Sequence, residues 1–359
     1  MSLVKLKYEI LVSGLYPLEE SLAKNGFALC ANKLDQETLN TIYDAGLIYL
    51  SPYILYCCCP DGKGNMIYLT FEKEETIDIE YSAVKEYDRQ FTSQALMDLN
   101  VFKAAEDLEK IIILEVNNSI KFPIKMVKAY DTSGEFITMY FDFTNPNTPA
   151  LLNCNQTATL ETIARQTHRL NSGISYEKIA ELKRNNRFFD NALSIYYSSF
   201  AVSDEKVSFI LLITALEALI SKSTYSKPEA CKSCGQPMYK ISASISENVS
   251  VLLMDTDESI KKHMKRLYEK RSNFLHKGKQ DITKQDEQDV QEYVRKVLLM
   301  YWFVSLQINT YKHEDIIAEI QSTGYKDHLM YRSFLTCLGN ASFQDKKRDL
   351  LKDILTPLK

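Results

Sequence analysis

Arg271 and His276 stand five residues apart in LYEKRSNFLHKGK, Leu267–Lys279, with Gly278 just beyond and lysines on either side. A guanidinium stays charged at every accessible pH, and an imidazole exchanges a proton near neutrality. Together they supply what chemistry on an anion needs: one group to hold negative charge and one to move a proton. Between Lys261 and Gln280 the chain carries eight Lys or Arg and a single acid, Glu269, although its formal net charge is −4. A phosphodiester suits such a basic stretch on a mildly acidic protein. Spacing alone also allows a plainer reading, in which a helix ends in a solvated basic turn capped by His and Gly.

Placing these groups requires a helix. Ile260, Met264, Leu267 and Phe274 recur at three- and four-residue spacing, which predicts a helix over Glu258–His276 with Arg271 on the apolar stripe. Residues five apart differ by about 140° around a helix, so Arg271 and His276 do not share a face, whereas Ser272, Asn273 and His276 do. Gly278 fits the left-handed position after a helix ending near Lys277. His276 then falls in the last turn, where the macrodipole favours a cation. Arg266, Lys270, Lys277 and Lys279 are the candidate phosphodiester-binding cations around that end. An inward-facing Arg271 needs a carboxylate. Phe209–Ile220, FILLITALEALI, is apolar nearly all round, as the central helix of a bundle is, and Glu217 is its one charge. Because an unpaired buried charge is costly, a Glu217–Arg271 ion pair is expected.

At 359 residues the chain exceeds one ordinary domain of roughly 100–200 residues. Hydrophobic residues make up 45% and charged residues 25%, the proportions of a globular protein. No apolar run reaches the roughly 18 residues of a spanning helix, and the opening residues do not form a signal-peptide core, so the cytoplasm is the expected location. Cysteines at positions 30, 57, 58, 59, 154, 231, 234 and 337 are too irregular for a disulfide framework and are expected to be reduced.

The predicted fold class is α+β. In Leu3–Val12 apolar and polar residues alternate, the mark of a half-buried strand. Ile48–Cys59 with Asn65–Phe71 around PDGKG, and Lys121–Tyr130 with Glu135–Phe143 around DTSG, predict two hairpins, and Thr92–Glu109 predicts a helix. Cys57, Cys58 and Cys59 would alternate between strand faces, which suits packing better than shared metal ligation. Residues 1–150 thus form a mixed α/β domain with a mainly antiparallel sheet, with a sensing or regulatory role expected. After Thr144–Thr157, rich in Pro and Asn, helical patterns cover Leu160–Leu170, Tyr176–Arg184, Phe188–Ala201, Asp204–Ser221 and Lys284–Tyr311. They make residues 155–312 an all-α bundle and 313–359 a helical appendage. Trp302 is assigned to core or dimer packing over base stacking. His168, His313 and His328, among polar or charged neighbours, are assigned to the surface.

Cys231-Lys-Ser-Cys234-Gly has the spacing of one zinc knuckle and supplies half of a four-ligand site. His263, or the cysteines of a second subunit, are candidates for the rest. Structural zinc, a reduced empty pair and a redox switch all remain open, while no motif glutamate or second ligand pair supports a catalytic zinc.

RSNFLHKG at Arg271–Gly278, preceded by LY at Leu267–Tyr268 and by ALEAL at Ala215–Leu219, resembles the Apea-like branch of the HEPN domains. The resemblance runs over roughly residues 188–311, through the predicted helix at Ile241–Leu253. It implies a helical bundle that pairs as a homodimer, bringing two Arg-x4–6-His motifs into one cleft. It further implies a metal-independent endoribonuclease of toxin or antiphage defence, with RNA as substrate and a regulatory partner or phage-derived trigger. Arg271 and His276 would be the catalytic pair, with Ser272 at the polar position after the Arg. The RNA 2′-hydroxyl would attack its neighbouring phosphate, so DNA would be spared. The alternative is a catalytically silent HEPN module that binds RNA, nucleotide or a partner protein, and a third reading is a scaffold whose basic turn docks an acidic partner.

Overall fold

The computed structural model describes residues 2–15, 22–24, 27–33, 65–77, 102–143, 167–171, 174–221, 229–230, 237–238, 241–322 and 328–339. The chain divides into two compact units, Met1–Ile112 with Asn118–Thr167, and Ile113–Asn117 with His168–Lys359. The first contains strands β1 (Ser2–Ser13), β2 (Leu22–Lys24), β3 (Phe27–Lys33) and β4 (Asn65–Ile77), most of helix α1 (Lys103–Val116), and strands β5 (Lys121–Tyr130) and β6 (Phe136–Phe143). The strands form one six-stranded sheet in the order β2-β3-β4-β1-β5-β6. Every described pairing in it is antiparallel.

The alternation in β1 decides its faces. Val4, Leu6, Tyr8, Ile10 and Val12 are buried. Tyr8 pairs in register with Phe71, their rings stacked at 4.1 Å, and meets Phe102 edge-on at 6.5 Å. The opposite face carries the pairs Lys5–Glu72 at 2.7 Å and Lys128–Glu9 at 3.2 Å, which are exposed enough to contribute little stability. The DTSG turn closes β5 onto β6 through Asp131, whose Oδ1 accepts N–H bonds from Ser133 at 2.9 Å and Glu135 at 2.8 Å. Gly14 has φ +87°, and a Cβ there would lie 2.2 Å from the Ser119 carbonyl oxygen, so only glycine fits. Ile48–Cys59, Cys57–Cys59 within it, and Thr144–Thr157 lie outside the described residues, but Asn65–Phe71 pairs with β3 on one edge and β1 on the other, so the expected hairpin with Ile48–Cys59 does not form. The helix expected over Thr92–Glu109 is described from Lys103 and runs on to Val116.

The second unit consists of a 3₁₀ turn (His168–Asn171), helices α2 (Tyr176–Asn185), α3 (Arg187–Ser199) and α4 (Glu205–Ile220), the short strands β7 (Glu229–Ala230) and β8 (Pro237–Met238), and helices α5 (Ile241–Leu252), α6 (Ser259–Lys277), α7 (Lys284–Gln307), α8 (His313–Ile320) and α9 (Leu329–Gly339). Side-chain oxygens of Asn186 and Asp204 cap α3 and α4 by accepting the first free N–H groups. The centre of the bundle is α7, which touches α2, α3, α4, α5, α8 and α9 and is buried on every side from Val297 to Ser305. Sequence placed α4 there. Its apolar circumference is instead covered on one side only, since Val207 is 44% exposed and Ile210, Leu211, Thr214 and Ala218 are half-buried.

Trp302 is fully buried and tilts against Phe334 of α9 at 6.0 Å, a core position. His313 corrects the sequence expectation: it is buried, stacked on Phe188 at 4.0 Å, with Nδ1 2.9 Å from the Tyr301 hydroxyl. Its polar neighbours misled because His313 begins α8, so its side chain turns into the bundle while Lys312 and Glu314 remain exposed or half-exposed. Burial pushes its imidazole down to about 4. His328 is exposed as expected, and the side chain of His168 lies outside the described residues.

The last turn of α1 belongs to this unit. Arg295, only 2% exposed, donates from Nε to the Glu115 carbonyl at 3.0 Å and from Nη1 to Glu292 at 3.2 Å. Tyr176 donates to the Glu115 carboxylate, and Asn117 accepts from Tyr196 at 2.6 Å. Among the described residues no helix is long and apolar enough to cross a membrane.

Candidate anion-binding site at the end of helix α6

Helix α6 begins without an ordinary N-cap side chain and ends on a left-handed glycine. At its start Glu258 adopts a left-handed conformation, φ 60°, and makes no side-chain cap. Asp255 substitutes, accepting the Lys261 N–H at 3.0 Å, while Asp257 accepts the Ser259 N–H at 3.1 Å. At the other end Gly278 has φ 62°, as its position in the sequence predicts. Its N–H reaches the Phe274 carbonyl at 3.2 Å, and the Lys279 N–H reaches that of Asn273 at 3.3 Å. A Cβ at Gly278 would meet nothing within 4 Å, so conformation alone selects glycine there.

The helix so defined places Arg271 and His276 differently. The Arg271 side chain is 20% exposed and forms the expected ion pair, Nη2 lying 3.3 Å from Glu217 Oε2. The other carboxylate oxygen, Oε1, accepts from the Tyr268 hydroxyl at 2.6 Å. The guanidinium carbon of Arg271 also lies 5.5 Å from the centre of the Tyr268 ring. Burial, helped by the hydrogen bond to Glu217 and its charge, pushes the Tyr268 phenol above its ordinary value, so it remains a donor. The sequence reading missed Tyr268 as a site residue. Its signal was present, because it precedes Arg271 by three residues and shares its face.

His276 is exposed in the last turn, with Ser272 and Asn273 half-buried beside it in the sequence of turns. Arg266, Lys277 and Lys279 are exposed and have no ion-pair partner among the described residues. At spacings of seven and four, Arg266, Asn273 and Lys277 fall on one stripe. Lys270 departs from the expectation of a free RNA-binding cation. Its Nζ is 2.7 Å from Asp286 and 3.1 Å from the Asp281 carbonyl, because the turn into α7 brings that helix's first carboxylate beneath it. Asp286 also accepts from the backbone of Thr283 at 2.8 Å and from its hydroxyl at 2.6 Å, closing the capping box of α7. Burial raises the Asp286 carboxyl, but the bonds from Lys270 and Thr283 outweigh it and hold the group below its ordinary value.

Val207 at the start of α4 and Leu275 on α6 are exposed, and Lys206 Nζ reaches Gln280 Oε1 at 2.6 Å, tying the two ends together. Apolar surface therefore adjoins the basic turn.

Cys231 and Cys234 lie outside the described residues. The flanking strands β7 and β8 pair antiparallel, Ala230 opposite Pro237. His263, a candidate further ligand, is engaged elsewhere: its Nδ1 is 3.0 Å from the Tyr293 hydroxyl and its Nε2 3.5 Å from Asp289. Burial, then the Arg266 charge, hold its imidazole below the ordinary value despite Asp289. Among the described residues no group of three or more His, Cys, Asp or Glu is arranged to hold a metal.

Compared with protein-family models, curated proteins and solved structures, the chain gives no match. Function is therefore read from the residues of the site themselves.

Proposed function

We propose that the chain is a metal-independent endoribonuclease of the HEPN type, acting in toxin or antiphage defence as a homodimer. The observation that carries this reading is the end of α6. An exposed His276 lies one turn beyond Ser272 and Asn273, with Arg266, Lys277 and Lys279, unpaired among the described residues, nearby and a buttressed Arg271 on the adjoining face. The free cations would hold the RNA backbone through its phosphates. His276 would transfer a proton as the 2′-hydroxyl attacks the neighbouring phosphorus and the 5′-oxygen leaves, giving a cyclic phosphate and a 5′-hydroxyl. Arg271 would stabilise charge on the non-bridging oxygens. Its pairing with Glu217 fixes its direction, and its partial exposure leaves the guanidinium within reach of a substrate.

One copy presents Arg271 and His276 on different faces of α6, and a two-fold arrangement would let two motifs line one cleft. The exposed Val207 and Leu275 are surface that such a partner could cover. One observation favours the silent binding module as a second reading: among the described residues no group hydrogen-bonds His276 to set its tautomer.

The test is RNA cleavage by purified protein in a metal chelator, comparing wild type with His276→Ala. Loss of general acid–base catalysis would cost about 10²–10⁴ in rate. The substituted residue is exposed, so unfolding temperature should hold. Full activity in His276→Ala would overturn the nuclease reading, and cation-dependent RNA binding without cleavage in wild type would favour the silent module.

A further inference from the structure

The Glu217–Arg271 pair is joined by one edge only. The edge of a guanidinium formed by Nε and its neighbouring terminal nitrogen matches the two oxygens of a carboxylate, and two parallel bonds are the usual outcome. Here Nη2 takes Oε2 at 3.3 Å, whereas Arg271 Nε is buried and has no hydrogen-bond partner among the described residues. The oxygen that Nε would take, Oε1, is held by the Tyr268 hydroxyl at 2.6 Å, the shorter of the two bonds. A buried orphan N–H is costly and needs a reason. The reason is on the adjacent turn.

We propose that Tyr268 is a positioning residue for the anion site. By occupying one oxygen of Glu217, it prevents the carboxylate from closing onto Arg271 with both oxygens, and so keeps the guanidinium under-neutralised and available to a phosphate. The proposal rests on the reading of α6 as a phosphodiester site, but not on the reaction that follows binding. Removing the hydroxyl while keeping the ring frees Oε1, lets Glu217 rotate to pair with both Nε and Nη2, and withdraws Arg271 from the ligand. A tyrosine that merely stabilised the fold would behave differently: its loss would weaken the protein and leave the charge at the site unchanged.

The experiment uses the full chain and a fluorescent single-stranded RNA of mixed sequence. Binding is measured as a function of salt in a His276→Ala background, so that substrate persists, with and without Tyr268→Phe. One phosphate contact fewer lowers the slope of log K against log salt by about 0.7. The predicted result is that decrease, with an unfolding temperature equal to or above that of the parent. Adding Glu217→Gln to Tyr268→Phe removes the neutralising charge and should restore the slope. An unchanged slope overturns the proposal, as does a Tyr268→Phe variant that loses slope and stability together and is not rescued by Glu217→Gln. In parallel, cleavage by Tyr268→Phe with His276 intact should fall at least tenfold in kcat. If wild type binds RNA without cutting it and Tyr268→Phe still lowers the slope, the nuclease reading fails while the role of Tyr268 stands.

Discussion

Glu217 divides one carboxylate between a neutral donor and a charged one, and that division sets the character of Arg271. Glu217→Ala should destabilise the helical unit by about 1–2 kcal/mol, less than a fully buried pair because both side chains are one-fifth exposed. Denaturant unfolding would check it; a change below a few tenths would mean that the pair carries no net stability. His313 gives a prediction with a definite sign. Its folded pKa, about 4, lies below the ordinary value of 6.5, so the unfolded chain takes up a proton that the folded one refuses. Stability from this residue is complete above about pH 6.5 and is lost as pH falls toward 4, on the order of 3 kcal/mol in all. His263, also held low by burial, adds loss in the same direction as pH falls below about 6.5. His313→Gln should flatten the stability profile between pH 6.5 and 4, and an unaltered profile would contradict the assignment. The sequence could not show that His313 is buried, because its immediate neighbours are polar and the ring it stacks on, Phe188, is 125 positions away.

Helix α6 was legible because its signals are local: an apolar stripe at helical spacing, Arg271 on that stripe, and Gly278 where the left-handed turn occurs. Lys270 was not, since whether a helical lysine is free depends on what the next helix brings beneath it. Asp286 is that group, and it joins Lys270 to the capping box of α7. Asp286→Ala should lower stability by about 1–2 kcal/mol through loss of the cap alone. Since its carboxyl is held below 3.8, its contribution is present above about pH 4 and disappears as pH falls through the lower folded value. Asp286→Asn should therefore be less stable than wild type at pH 7, with the difference shrinking below pH 4. The apolar run of α4 misled for a related reason: hydrophobicity all round says that a helix has apolar faces, not that neighbours exist for each. Its half-covered side, from Val207 to Ala218, is where the bundle of a single copy leaves apolar surface uncovered.

At the scale of the molecule, the chain is α+β, with an antiparallel sheet in one unit and helices in the other. The strand alternation of β1 and the hairpin at DTSG were readable because period-two patterning and turn chemistry are written in consecutive residues. The grouping of Ile113–Asn117 with the helical unit was not, because it arises from Arg295, Tyr176 and Tyr196 meeting Glu115 and Asn117 across long sequence separations. The helices described beyond residue 312, expected from sequence as a helical appendage, pack on α7 within the same unit. The proposed reaction at the end of α6 requires the 2′-hydroxyl of RNA. The most direct measurement is cleavage, in chelator, of an RNA and of its 2′-deoxy counterpart, with the ends of the products identified. The account predicts that only the RNA is cut, leaving a cyclic phosphate and a 5′-hydroxyl, and that His276→Ala does not cut. Cleavage of the deoxy strand, or equal cleavage by His276→Ala, would contradict it.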